Sequence, residues 1–305
     1  FGWGNVPFTD GPPKVHDWSC TADVTVARVA RGRFDETPQY WDGTSWSDDP
    51  VSAAAVFPTD DRAVNATQVA VLAGRFVAEM HEHSGRYLGH VEPVATWLVS
   101  IDPETFEVVE QRAAPDPSAD LYGWSVVSHR DHTYLYAHCY RQFGWDPFPS
   151  SESTVGTHDW DCTADVTVAR VPRGRLDVEP EYWDGAQWTN DASAAVAVIP
   201  TEGRAVNPTQ VAVVDDRFIA VTKVDDWWGT DVHLDVAPSP FGPWTTHGTV
   251  TVEARCAECN TYFASIVPFA EDEETFAISI SNNTWGGHDM EHYRPTSMRV
   301  ATPTV

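Results

Sequence analysis

Apolar residues recur at every second position in short runs, and Gly, Pro and Asp punctuate the runs. The alternation predicts strands over Asp23–Val29, Gln68–Leu72, Arg75–Met80, Ala95–Ile101, Tyr122–Ser128, Thr133–Cys139 and Asp165–Val171. It predicts further strands over Gln210–Val214, Arg217–Val224, Val232–Ala237, Tyr262–Pro268, Thr275–Ser281 and Met298–Thr302. A pleated strand with one buried face requires this period of two, and the β-branched and aromatic content of the runs suits it. Helical spacing is almost absent, so an all-β domain is predicted. Two-residue connections at Ala73-Gly74 and Asp215-Asp216 mark tight hairpins.

The pattern is also duplicated. His16–Trp46 recurs as His158–Trp188 at a constant offset of 142 residues, and the match continues from Ala63–Val71 to Ala205–Val213. Close self-similarity means that the fold is assembled from repeated units. Each unit reads as a first hairpin, a loop, a third strand and a fourth strand ending in a Trp-rich turn, such as Gly242-Pro-Trp244 or Trp183–Trp188. Four strands in one such unit make the blade of a β-propeller. Blades are expected to begin near Asn65, Asp120, Asn207 and Asn260, with a partial one at the N-terminus. The prediction is a single domain over residues 1–305, a five-bladed β-propeller whose first blade lacks its two inner strands. A β-sandwich is the alternative; direct repetition at a period of about 60 residues argues against it.

In a propeller the innermost strands line the axis, so their entrances and the exits of the second strands open on one face around a funnel. Entrances carry Asn65 and Gln68, Asp120 and Tyr122, Asn207 and Gln210, and Glu258 with Asn260 and Tyr262. Exits carry Glu79, His81 and His83, then His138, Tyr140 and Arg141, then Asp225, Asp226, Trp227 and Trp228, and finally Asn282, Asn283 and Trp285. Acids, amides, His and Trp thus converge on the predicted funnel.

Composition narrows the partners. A net charge of −26 with two lysines, Lys14 and Lys223, disfavours nucleic acid, which needs a basic face. No run of eighteen apolar residues is present, so no helical membrane span is expected. Fourteen Trp exceed what core packing requires, and indole rings stack on sugar faces, so a carbohydrate surface is indicated. Among the five cysteines, Cys139 and Cys162 are placed to close the loop between two strands as a disulfide. Cys20 is the repeat counterpart of Cys162, and its partner would fall about four residues before Phe1, which points to a chain that extends upstream. Cys256-Ala-Glu-Cys259 has the spacing of half a zinc site, but nothing completes it.

Glycosidic hydrolysis needs two carboxylates, one protonated as acid and one acting as base or nucleophile. Asp120, directly ahead of an inner strand, is the first candidate. Its alternative role is to cap a turn after Pro115-Asp-Pro-Ser. Glu258, held between two cysteines, is the second candidate; an exposed loop acid is the alternative. Asp225 is a candidate for tuning or positioning, since adjacent Asp225 and Asp226 point to opposite faces. Glu79 stands where the other copy has Val221, so the repeat does not impose it. Asp17 and Asp159 recur together and read as caps. Trp41, Trp46, Trp183 and Trp188 recur likewise and read as blade packing. Trp227, Trp228 and Trp285 supply the stacking platform, with Tyr122, Arg141, His138, Asn207, Asn260 and Asn282 as polar contacts. No phosphate loop, nucleophile elbow or zincin helix is present. The acids near the axis have the chemistry of a Ca2+ site, but no loop of fixed ligand spacing supports one, so no cofactor is expected.

Tyr122-Gly-Trp-Ser-Val-Val with Tyr134-Leu-Tyr, Val168–Arg175, Tyr182–Trp188, Ser239–Trp244 and Asn260–Ser265 carry a resemblance. They resemble the five-bladed propellers of secreted, actinobacterial glycosidase-like proteins. That group includes endo-D-arabinanases of glycoside hydrolase family 183 and is related to the arabinanase and xylosidase propellers. The resemblance covers most of Trp97–Val300 and rests on blade-framework motifs. It implies a secreted, monomeric glycoside hydrolase acting on a furanose-containing polysaccharide such as arabinan. Such enzymes commonly carry an important acid on the first blade, and no matching Asp motif appears near Phe1. A non-catalytic carbohydrate-binding propeller is the rival reading.

Overall fold

The computed structural model describes residues 24–30, 36–57, 63–83, 93–114, 120–139, 166–199, 210–223, 230–256, 259–267, 274–284 and 295–303. Among these residues the only helical elements are single 3-10 turns at Pro50–Ser52 and Ala192–Ala194. The chain is all-β, and its sheets are the blades of a five-bladed β-propeller. They fall into two compact units, one built mainly from Val15–Ala114 and the other from Pro115–Arg141 and His158–Val305.

The first unit holds β1 (Val24–Thr25), β2 (Ala27–Arg28), β3 (Gln39–Trp41), β4 (Trp46–Ser47) and β5 (Ala55–Phe57). It continues with β6 (Ala63–Leu72), β7 (Arg75–His83), β8 (Pro93–Ile101) and β9 (Val108–Ala113). Strands β6 to β9 form one antiparallel blade in sequence order. The β2-β3-β4 sheet and the β1-β5 pair are the outer half of another blade, as the repeat offset predicts. The core lies between these sheets: Val56, Phe57, Ala78, Met80, Val99, Ile101 and Phe106, with Val24, Val26, Trp41 and Trp46 packed against it.

The second unit begins with β10 (Asp120–His129), β11 (His132–Cys139), β12 (Val166–Pro172), β13 (Glu181–Trp183) and β14 (Trp188–Thr189). Next come β15 (Gln210–Val214), β16 (Arg217–Lys223), β17 (Asp231–Ala237) and β18 (Thr245–Thr251), then β19 (Cys259–Val267), β20 (Thr275–Thr284) and β21 (Thr296–Ala301). They make three antiparallel sheets, β10–β14, β15–β18 and β19–β21. Both faces of the central sheet are covered. Val211, Phe218 and Ala220 pack toward Val127, Tyr134 and Tyr136. Val214, Ile219, Val221 and Leu234 pack toward Ile266, Phe276 and Ile278. The Tyr136 hydroxyl, wholly buried, donates to the Pro240 carbonyl oxygen at 2.8 Å, which satisfies it inside this interface.

Hairpin chemistry is as expected at Ala73-Gly74 (φ 50° and 79°) and Asp215-Asp216 (φ 50° and 60°). Positive φ at both central residues matches the twist of the flanking strands. The fourth strands differ from the prediction. The Gly242-Pro-Trp244 turn lies between β17 and β18, ahead of the outermost strand rather than after it. Strands β9 and β18 are largely exposed. They have little apolar face to announce them, because only partly buried positions such as Val250 meet a core.

The duplicated Trp-Asp-Gly-x-x-Trp segment forms a small hairpin in both units. Asp42 Oδ1 accepts the Thr44 and Ser45 amides at 2.8 and 2.6 Å, and Asp184 Oδ1 accepts those of Ala186 and Gln187 at 2.8 Å each. Gly43 and Gly185 both sit at φ +97°, a conformation that side chains disfavour. The flanking indoles meet edge to face, with centroids 5.6 Å apart for Trp41–Trp46 and 5.4 Å for Trp183–Trp188. A guanidinium covers the second indole each time, Arg28 at 4.2 Å and Arg170 at 4.4 Å. The pair then clasps a Phe on the turn between the third and fourth strands of the neighbouring sheet. That residue is Phe106 in the first unit and Phe241, stacked on Trp183 at 3.9 Å, in the second. The expected packing role of these four Trp is what the structure shows.

Two outcomes are expected. Phe241→Ala should lower stability by about 2 kcal/mol in urea unfolding, since it deletes a half-buried ring and its stacking on Trp183. The Ser45 and Thr44 amides, aided by their hydroxyls, hold the Asp42 carboxyl down to about 2 from its ordinary 3.8. A depressed folded-state value means that its contribution is present above about pH 4 and lost as pH falls toward 2. Asp42→Ala should therefore have a lower Tm than the parent at pH 7, and the gap should close on acidification through that window.

Candidate functional site

In the second unit, three first hairpins stand side by side in a common orientation. At one end the turn of β10–β11 is tied to that of β15–β16, and β16 to the end of the third sheet. Arg130 Nη2 donates to Asp216 Oδ2 at 2.9 Å, and Arg217 donates to the Pro303 carbonyl oxygen just beyond β21. Further along, the Ser125 hydroxyl donates to the Val211 carbonyl oxygen at 3.1 Å and accepts from the Val211 amide at 2.8 Å. The Gln210 side-chain oxygen accepts the Ile266 amide in the same way. Ser125 and Gln210 hold equivalent positions, opposite Tyr136 and Val221 respectively. With the turns fixed at one end, the entrances of β10, β15 and β19 and the exits of β11, β16 and β20 share the other.

That end carries several predicted site positions. Asp120 is the first residue of β10, opposite Cys139, and His138 lies opposite Leu121. Strand β16 ends at Lys223, two residues before Asp225. Asn260 lies opposite Asn283 at the start of β19, and Glu258 immediately precedes that strand. Asp225, Trp227, Trp228, Trp285, Arg141, Asn207, Glu258 and Cys162 lie outside the described residues. The expected Cys139–Cys162 pairing falls there too.

The turn that bears Glu258 is anchored on both sides. Cys256 and Cys259 are joined as a disulfide with their Cα atoms 5.0 Å apart, so their sulfurs are not half of a zinc site. The Cys259 amide also donates to the Cys256 carbonyl oxygen at 3.1 Å. One residue upstream, the Arg255 amide donates to Asn282 Oδ1 at 3.1 Å, while Asn282 Nδ2 donates to the Ile280 carbonyl oxygen at 3.3 Å and to Thr296 Oγ1 at 3.1 Å. Asn282 is buried, and its amide braces this turn against β20 and β21. Tyr122 is likewise buried, its hydroxyl accepting from Thr167 Oγ1 at 2.9 Å and its ring edge-on to Tyr182. Neither offers a surface to a ligand. The sequence pattern counts strand entrances and exits as exposed, which sets both against sugar. Each instead sits within its sheet.

Two buried carboxylates stand out. Glu79 on β7 is fully buried opposite Gln68. The equivalent positions, opposite Ser125, Gln210 and Ala264, hold Tyr136, Val221 and Ile280, all fully buried. A carboxylate in such a place is costly without partners and marks a candidate for function. Asp235 on β17 is also fully buried and accepts from Thr246 Oγ1 at 2.8 Å. Sequence reading missed it; an Asp inside the apolar run Val232–Ala237 was the available signal. Among the described residues, no group of three or more His, Cys, Asp or Glu is placed to hold a metal ion.

Comparison with known proteins follows from this architecture. A protein from Bacteroides ovatus, provisionally described as a hydrolase, has 16% identity and a TM-score of 0.57, covering 78% of this chain and 61% of its own. This chain therefore spans about three-fifths of that relative. The family 43 endo-arabinanase from Bacillus licheniformis has 10% identity and a TM-score of 0.47, covering 91% of this chain and 88% of its own. A family 117 glycoside hydrolase from Zobellia galactanivorans has 14% identity and a TM-score of 0.44, covering 74% and 68%. Identities this low speak to the fold alone, and of these three only the first exceeds a TM-score of 0.5. No protein of curated function matches the sequence. Over residues 55–302 the sequence matches one family, and the chain belongs to it: the domain of unknown function DUF5005.

Proposed function

We propose that the chain is a secreted glycoside hydrolase acting on a furanose-containing polysaccharide such as arabinan, in the manner of the family 183 endo-D-arabinanases it resembles. One observation carries the reading. The entrances of β10 and β19 and the exit of β16 share one end of three neighbouring hairpins, and in the sequence Asp120 begins β10, Asp225 follows β16 by two residues and Glu258 immediately precedes β19. Acid chemistry on a glycoside needs carboxylates held within several ångströms of each other. Rigid strand ends tied by cross-links supply that precision better than a free loop. Asp120 and Glu258 are the carboxylate pair, Asp225 positions or tunes them, and Trp227, Trp228 and Trp285 stack on the sugar. His138, Arg141, Asn207 and Asn260 hold its hydroxyls. The Cys256–Cys259 disulfide fits an oxidising, extracellular setting.

Incubation with arabinans, xylans and galactans should release oligosaccharides from an arabinan. Saturable binding with no product would favour the non-catalytic carbohydrate-binding propeller. In the hydrolase reading, Asp120→Asn and Glu258→Gln should each lower kcat by about 100-fold or more while leaving the Tm near the parent's. Undiminished turnover in either variant removes that residue from the mechanism. Asn282→Ala should lower stability by about 1–3 kcal/mol, because it leaves the Arg255 amide and Thr296 hydroxyl without this partner.

A further inference from the structure

A disulfide that staples a fold closes a long loop, and Cys256–Cys259 does not. Its cysteines are three residues apart, so the bond removes less freedom from the unfolded chain than a longer loop would. The turn also has other supports. The Cys259 amide donates to the Cys256 carbonyl oxygen at 3.1 Å, and the Arg255 amide donates to Asn282 Oδ1 at 3.1 Å. Asn282 is buried, and its amide nitrogen donates to the Ile280 carbonyl oxygen and to Thr296 Oγ1. Cys259 itself begins β19, paired opposite Thr284. The sheet therefore keeps its contacts whether or not the sulfurs are joined.

What the bond changes is local. Its ring contains, in the sequence, Ala257 and Glu258, directly ahead of β19. Both cysteines are half-buried, and neither belongs to the apolar clusters on the two faces of the central sheet. The bond is thus not sealed inside a core. In a Cys-x-x-Cys spacing a freed thiol stays beside its partner, which lets the pair re-form. Accessible disulfides that carry little of a fold are the ones that exchange with small thiols.

We propose that Cys256–Cys259 is a redox-sensitive latch at the entrance of β19, opened by small thiols and closed again by small disulfides. The thiolate of one small thiol attacks a cysteine sulfur, which forms a mixed disulfide and releases the other cysteine as a thiolate. A second small thiolate then attacks the mixed disulfide and leaves as the small-molecule disulfide. Two protons complete the two protein thiols, so two electrons have passed from two thiols to the protein. An oxidised small disulfide runs the same steps in reverse. The effect on turnover runs through Glu258 and rests on the hydrolase reading. Opening the ring removes a covalent restraint from the backbone of that residue, while the blade stays folded.

The test equilibrates the full chain in glutathione buffers of graded reduced-to-oxidised ratio, then alkylates free thiols and maps Cys256 and Cys259 by peptide mass. The pair is expected to pass reversibly between disulfide and dithiol while the protein stays folded. Amide hydrogen exchange at Cys259 and Asn260 should rise by about tenfold on reduction. Cys256→Ser with Cys259→Ser should reproduce that faster exchange and show no further response to glutathione, which separates this pair from the other cysteines. Where the oxidised protein hydrolyses a glycan, reduction should lower kcat by about tenfold with KM little changed, and re-oxidation should restore it. A pair that stays oxidised at every ratio, or one whose reduction unfolds the chain, is a staple, and either result overturns the proposal. Exchange that is the same in the oxidised and reduced proteins overturns it as well. An oxidised protein without hydrolytic activity would instead overturn the hydrolase reading, and the thiol map and exchange rates would still decide the latch.

Discussion

Blade-to-blade packing is the constraint on which everything else rests. A single four-stranded sheet cannot bury both of its faces, so each one here is stable only against a neighbour. The central sheet of the second unit shows the solution, with Val211 and Phe218 turned one way and Val214 and Ile219 turned the other. The Trp-Asp-Gly-x-x-Trp hairpin reinforces this packing at the rim, where indoles from one sheet seize a phenylalanine of the next. Because Asp42 and Asp184 satisfy the hairpin amides locally, the clamp needs no help from the core to hold its shape.

Much of this was legible in the residues, and the reason is burial. Strands with a covered face, such as Val232–Ala237 and Thr275–Ser281, must alternate, and their residues show it. Strands β9 and β18 face solvent on the outside of their blades, so nothing in their sequences enforces a period. The Trp pairs could be assigned to packing because they occur twice, and one catalytic centre has no use for a duplicate. The Cys256–Cys259 spacing was ambiguous, since two thiols three residues apart suit either a metal or a bond to each other. Side-chain exposure at strand ends was the weakest inference. Tyr122 and Asn282 occupy the expected positions, yet each is turned into its sheet and held there by hydrogen bonds.

The cross-links of the second unit connect fold to chemistry. Ser125 and Gln210 each capture backbone of the next inner strand, while at the far end Arg130 ties one turn to the next and Arg217 reaches the chain just beyond β21. These contacts fix the height of one blade relative to its neighbour. The strand ends away from those turns belong to the same cross-linked hairpins. The brace from Asn282 to the Arg255 amide adds a tie beside Cys256.

The first strands β6, β10 and β19 also share an irregularity. The ladder slips between Ala66 and Gln68, between Tyr122 and Ser125, and between Tyr262 and Ala264. The slips in β6 and β19 each add one residue on one side of the ladder only, which resets the parity of alternation there, while the slip in β10 adds two and leaves it unchanged. The mouth of such a strand is therefore decoupled from its packed length. Mutation can reshape the entrance of a blade without turning a single core residue toward water.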